Sequence, residues 1–137
     1  MLGLFRTRKA RRHAVAALAP HVEETRRTVP GLDDSRWLDP FVLGFLAMAV
    51  TIVAGRELSS EELAVVQAGA IAEATGADPD LVGQEIVLRS LGGDPAFTAG
   101  CRAADGFARA ALADDAARFE EARALWRDAV EARLSPE

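Results

Sequence analysis

FVLGFLAMAVTIVAG, residues 41–55, carries one hydroxyl, on Thr51, and no charged side chain. Such a run either crosses a bilayer or lies inside a protein, so its reading decides the fold. Length separates the two. Fifteen helical residues at about 1.5 Å each reach roughly 22 Å, whereas the hydrocarbon core of a bilayer is about 30 Å thick. Asp39 stands just before the run, and Arg56 and Glu57 follow it at once, so nothing apolar extends it on the carboxyl side. The run therefore predicts a buried central helix, residues 40–54, because an all-round apolar helix outside a membrane must be wrapped by others.

The punctuation around it supplies those helices. Asp39-Pro40, Asp78-Pro79 and Asp94-Pro95 each precede an apolar segment. Aspartate caps exposed amides, and proline takes the first helical position, where its missing N–H costs nothing. In SSEEL, Ser59 or Ser60 caps a further helix while Glu61 and Glu62 face the positive end of its dipole. Gly76 and Gly92 or Gly93 serve as stops. No stretch alternates as a strand does. The pattern predicts an all-α, single-domain bundle of six helices near residues 8–28, 40–54, 60–75, 79–91, 95–112 and 114–134, with Pro20 inside the first.

Apolar spacing assigns the inward faces. Val15, Leu18, Val22 and Val29 share one face of the first helix; Leu63, Val66 and Ala70 share one after SSEEL. At the carboxyl end Leu112, Ala116, Phe119, Ala122, Trp126 and Val130 form a stripe. Gly44, Ala47, Gly69, Gly83 and Gly100 are expected to let neighbours pack closely on the central helix, with a small apolar ligand pocket as the alternative. A chain of 137 residues, half of them hydrophobic, can bury one core. Ala is the commonest residue, and Arg outnumbers Lys fifteen to one, the usage of a GC-rich bacterial genome. The lone Cys101 excludes an internal disulfide and reads as a small buried hydrophobe. Cytoplasm is the expected location.

The segment FLAMAVTIVAGRELSSEELAVVQAGAIAEATGADPDLV, residues 45–82, resembles the tellurite-resistance TerB-like helical family. That family places an acidic turn of the type A-D-G-E-V-S-P-E-E between an apolar helix and an amphipathic one. Here the turn reads AGRELSSEE: Glu57, Ser59, Glu61 and Glu62 match, Leu58 is similar, and Gly55 and Arg56 stand in place of Asp-Gly. The resemblance implies an all-helical cytoplasmic module associated with metal binding or membrane-linked stress complexes. Glu57, Glu61 and Glu62 are the metal ligands it would nominate. Arg56, where further acid would gather a cation, argues against a metal, and capping accounts for the carboxylates.

No catalytic signature appears. The chain has no P-loop, dinucleotide glycine fingerprint, GxSxG elbow, HExxH, EF-hand or CxxC pair. His13 and His21 lie eight residues apart and are expected at the surface, His21 forming only a chance i, i+3 pair with Glu24. Asp33-Asp34 and Asp114-Asp115 suit loops and caps. No cofactor is expected.

The amino terminus stands out. MLGLFRTRKARRH holds Arg6, Arg8, Lys9, Arg11 and Arg12, with no acidic residue before Glu23. Removing those five charges from the formal total of −5 leaves −10 on the rest. The apolar part AVAALAP is too short for a secretory signal, and residue 2 is not the glycine that myristoylation requires. Residues 1–12 are thus expected as a basic arm on a helical domain, residues 13–137. Three readings are open: a solvated terminus, an anionic membrane surface met by Leu2, Leu4 and Phe5 beside the cations, or an acidic protein partner, including a second copy of the chain. Nucleic acid is disfavoured by the negative net charge and by the lack of aromatic residues among the arginines. The chain reads as a non-enzymatic interaction or adaptor module of the bacterial cytoplasm, associated with the membrane surface through its basic end. The alternative is a TerB-like domain binding a metal or a small apolar ligand.

Overall fold

A computed structural model describes residues 2–135, with side chains from Gly3 onward. The elements are α1 (Leu2–Thr28), a 3-10 turn (Asp34–Leu38), α2 (Pro40–Ala54), α3 (Ser60–Thr75), α4 (Pro79–Leu91), α5 (Pro95–Leu112) and α6 (Ala116–Trp126). A π-helical turn (Arg127–Glu131) then carries α6 into a last short helix, α7 (Ala132–Leu134). Among the described residues there is no strand.

The starts are chemically explicit. Asp39 accepts from the Val42 amide, Asp78 from those of Asp80 and Leu81, and Asp94 from those of Ala96 and Phe97, with proline first in each helix. Ser59 and Glu62 close a reciprocal capping box at α3, at 3.1 and 2.9 Å. Each bond satisfies an amide that the first helical turn leaves without a partner. Gly76 ends α3 in the left-handed region, φ 85°.

Helix α2 is the centre of the molecule: Val42, Leu43, Phe45, Leu46, Ala47, Ala49 and Val50 are all buried. No helix among the described residues is long and apolar enough to cross a membrane. Helix α5 lies against α2 with almost no gap. A Cβ on Gly44 would run into the Phe97 carbonyl, and one on Gly100 into the Phe41 carbonyl. The other small residues act elsewhere. Gly69 faces the Arg11 guanidinium and Gly83 the Ala68 methyl, so neither packs on α2 as the spacing led one to expect.

An aromatic cluster closes the end of the core nearest α6. Phe45, Phe107 and Trp126 have centroids 5.3 to 5.9 Å apart, and Trp37 joins through Trp126 at 6.2 Å. Trp126 Nε1 donates to Thr25 Oγ1 at 2.9 Å, tying α6 to α1.

Three expectations need correction. His21 is not a surface residue: it is 3% exposed, edge-on to Phe107 and stacked on Phe119. The carboxyl-terminal stripe is incomplete, because Leu112, Ala116 and Phe119 are exposed, Phe119 stacking on the buried His21. The first helix starts at Leu2, well before the expected residue 8. Residues 2–12 form the first turns of α1, where Ala10 is buried and Arg11 pairs with Glu73 of α3 at 2.9 Å. Contact of Arg6 with Glu62 of α3 supports the turns before residue 8, which the sequence pattern did not mark as helical.

Candidate interaction surface

Helix α1 begins without an acidic residue in its first turn and gathers cations toward its amino end. Positive side chains there oppose the helix dipole, so nothing about helix stability calls for them.

The structure divides the residues that the sequence nominated. Arg6 and Arg11 turn toward α3 and meet Glu62 at 3.7 Å and Glu73 at 2.9 Å. Arg8, Lys9 and Arg12 are exposed and have no acidic partner among the described residues. Phe5 is 70% exposed and Leu4 55%. The Leu2 side chain lies outside the described residues. At about 100° per residue, Phe5, Lys9 and Arg12 fall on one face, opposite the buried Ala10, Ala14 and Leu18. An aromatic ring thus sits among cations on the outward side of a helix whose inward side is anchored.

The acidic turn has a different disposition. Glu62 is held by Ser59 and approached by Arg6, and these contacts keep its carboxyl below the ordinary range, with the Ser59 amide the largest cause. Glu61 is an exposed first-turn residue, and Glu57 lines a surface cleft. Among the described residues no group of three or more His, Cys, Asp or Glu side chains could hold a metal ion.

That cleft, of about 270 Å³, lies between the first turns of α1 and the α2–α3 turn, with Arg6, Lys9, His13, Arg56 and Glu57 on its walls. The chain leaves α2 at Gly55, whose φ of 83° only glycine adopts readily. Sequence reasoning missed the site. Arg56 is 43 positions from His13, and only the return of α2 toward the start of α1 brings them together. The signal available was Arg56 itself, a cation in a turn otherwise rich in acid.

Burial pushes the His21 imidazole below its ordinary value of 6.5, Glu24 opposes that shift and Arg123 adds to it. Arg123 bridges back to Glu24, both oxygens within 2.9 Å of Nε. Cys101 is half-buried beside the core, and desolvation raises its thiol, which keeps it protonated and unreactive. Helix α4 leaves Leu81, Val87, Leu88 and Leu91 exposed.

No protein-family model, no curated protein and no solved structure matches this chain.

Proposed function

We propose that this protein is a non-enzymatic helical interaction module of the bacterial cytoplasm that touches anionic membrane surfaces through the amino-terminal end of α1. The observation that carries the reading is the exposed Phe5 on one face with Lys9 and Arg12 and beside Arg8, none of these cations occupied by an acidic neighbour among the described residues. Each cation near an anionic leaflet contributes about 1 kcal/mol, and inserting the ring adds roughly 1.5–3 kcal/mol. Because these turns of α1 are already helical, less ordering entropy opposes docking than for an unstructured arm. The result is reversible contact, not permanent anchoring.

The test is co-sedimentation of the full chain with phosphatidylserine-containing and neutral vesicles at low and high salt. Binding to the anionic vesicles alone is expected, weakened by salt as the Debye length falls from about 10 Å at 0.1 M to about 3 Å at 1 M. Phe5→Ser should lower it about tenfold or more without changing the fold. Equal sedimentation with both vesicle types would sink the membrane reading, and salt-sensitive capture of an acidic protein by the same face would replace it.

The second reading, a TerB-like domain binding a metal or a small apolar ligand, draws support from the α2–α3 hairpin with its acidic turn. Calorimetric titration with calcium, magnesium and zinc tests the metal. Low-micromolar binding lost in Glu57→Ala or Glu61→Ala would put this reading first.

A further inference from the structure

The cleft beside the α2–α3 turn is electrostatically lopsided. Arg6, Lys9 and Arg56 bring three positive charges to it against one carboxylate, Glu57, leaving two in excess. The carboxyl end of α2, which also reaches the cleft, offsets about half a charge. Arg6 is partly satisfied by Glu62, at 3.7 Å. Lys9 and Arg56 have no acidic partner among the described residues. A volume of about 270 Å³ is several times the roughly 30 Å³ that a water molecule occupies in the liquid. A compact tetrahedral anion fits such a space.

We infer that this cleft binds a phosphomonoester group, with Arg6 and Arg56 as fork donors, Lys9 as a point charge and His13 as a further N–H donor. A phosphomonoester carries about −1.5 to −2 at pH 7 and offers three acceptor oxygens to these donors. A phosphodiester or a carboxylate presents only two free oxygens to the same donors. The inference rests on reading this end of α1 as an anion-docking surface and adds a selectivity that the outward face alone does not have. The same chemistry arises from a monoester lipid headgroup, such as phosphatidic acid, and from a small soluble phosphate ester.

The experiment titrates the full chain calorimetrically with glycerol 3-phosphate and with dimethyl phosphate at low salt. It also measures sedimentation with vesicles of phosphatidic acid or phosphatidylserine matched for total charge. Saturable binding of glycerol 3-phosphate is expected, with dimethyl phosphate about tenfold weaker. Arg56→Gln, a change at an exposed turn residue, should reduce glycerol 3-phosphate affinity about tenfold, whereas Arg8→Gln with Arg12→Gln should leave it within about twofold. Preference for phosphatidic acid over phosphatidylserine that disappears in Arg56→Gln assigns the headgroup as the source. Glycerol 3-phosphate binding without that preference assigns the soluble ester. A flat glycerol 3-phosphate titration, or equal affinity in Arg56→Gln and the unaltered chain, overturns the cleft. Loss of all vesicle binding with glycerol 3-phosphate binding retained overturns the surface reading alone, so the two fail separately.

Discussion

The Phe97 carbonyl of α5 occupies the space that a Cβ on Gly44 of α2 would need. Backbone lies directly against backbone there, and neither helix can yield by turning a side chain. Gly44→Ala is therefore expected to destabilise the protein by about 3 kcal/mol or more, or to prevent folding, since overpacking a rigid contact is costly. Gly83 provides the contrast: a Cβ there would meet only the Ala68 methyl at 3.7 Å, an ordinary contact. Gly83→Ala should stabilise by about 0.5–1 kcal/mol through helix propensity. Urea unfolding followed by circular dichroism reads both, and a Gly44→Ala protein as stable as the parent would refute the close approach.

The two tryptophans of the core should respond differently to the same change. Trp126 Nε1 donates to the fully buried Thr25 hydroxyl, whereas the buried Trp37 Nε1 has no partner among the described residues. Replacing either by Phe removes similar apolar volume. Only Trp126→Phe also leaves a buried hydroxyl short of its donor, a penalty of about 1–3 kcal/mol. Trp126→Phe is thus expected to cost about 1–2 kcal/mol more than Trp37→Phe. Equal midpoint shifts would show that the Thr25 bond contributes nothing.

Much of this fold is readable from punctuation. Asp39-Pro40, Asp78-Pro79 and Asp94-Pro95 mark the starts of α2, α4 and α5, and Ser59 marks that of α3, because capping is chemistry between residues two or three apart. Trp37 is different. It is fully buried on a 3-10 turn of five residues, too short to show any periodicity. His21 was legible after all, since Ala14, Leu18, His21 and Thr25 follow the i, i+4, i+7 rhythm of one buried face; its polarity drew attention from its position. The cationic cleft could not be read locally, because Arg56 meets Arg6, Lys9 and His13 only once α2 has folded back along α1.

His21 makes stability depend on pH in a definable window. Its folded-state pKa is depressed, chiefly by burial among Phe107, Phe119 and Trp126. Between that depressed value and 6.5 the unfolded chain binds a proton that the folded chain does not. Stability is therefore fully present above about pH 6.5 and declines as pH falls through the window toward the folded pKa. The melting temperature should drop from about pH 7 to about pH 5, before the carboxylates of Asp33, Glu62 and Asp94, themselves depressed from ordinary values of 3.8 to 4.5, begin to titrate. His21→Phe should flatten this slope. An unchanged slope in that variant would assign the acid sensitivity to another group.

The amino-terminal turns of α1 are helical yet held by few contacts. Among the described residues before Ala14, only Ala10 is buried, and the two ion pairs to α3, Arg6 with Glu62 and Arg11 with Glu73, are partly exposed. Exposed pairs of this kind contribute about 0–1 kcal/mol each, so these turns open locally at far lower cost than the rest of the helix. Amides of residues 6–12 should exchange hydrogen for deuterium much faster than those of residues 18–26, where Leu18, Val22 and Thr25 are buried. Docking on an anionic surface adds binding energy that is lost whenever these turns unfold. Exchange at residues 6–12 should accordingly slow when phosphatidylserine vesicles are added, while exchange in α5 stays constant. Mass spectrometry of peptic fragments measures both. If residues 6–12 are as protected in the free protein as residues 18–26, the turns are integral to the core, and if vesicles leave their exchange unchanged, the contact surface lies elsewhere.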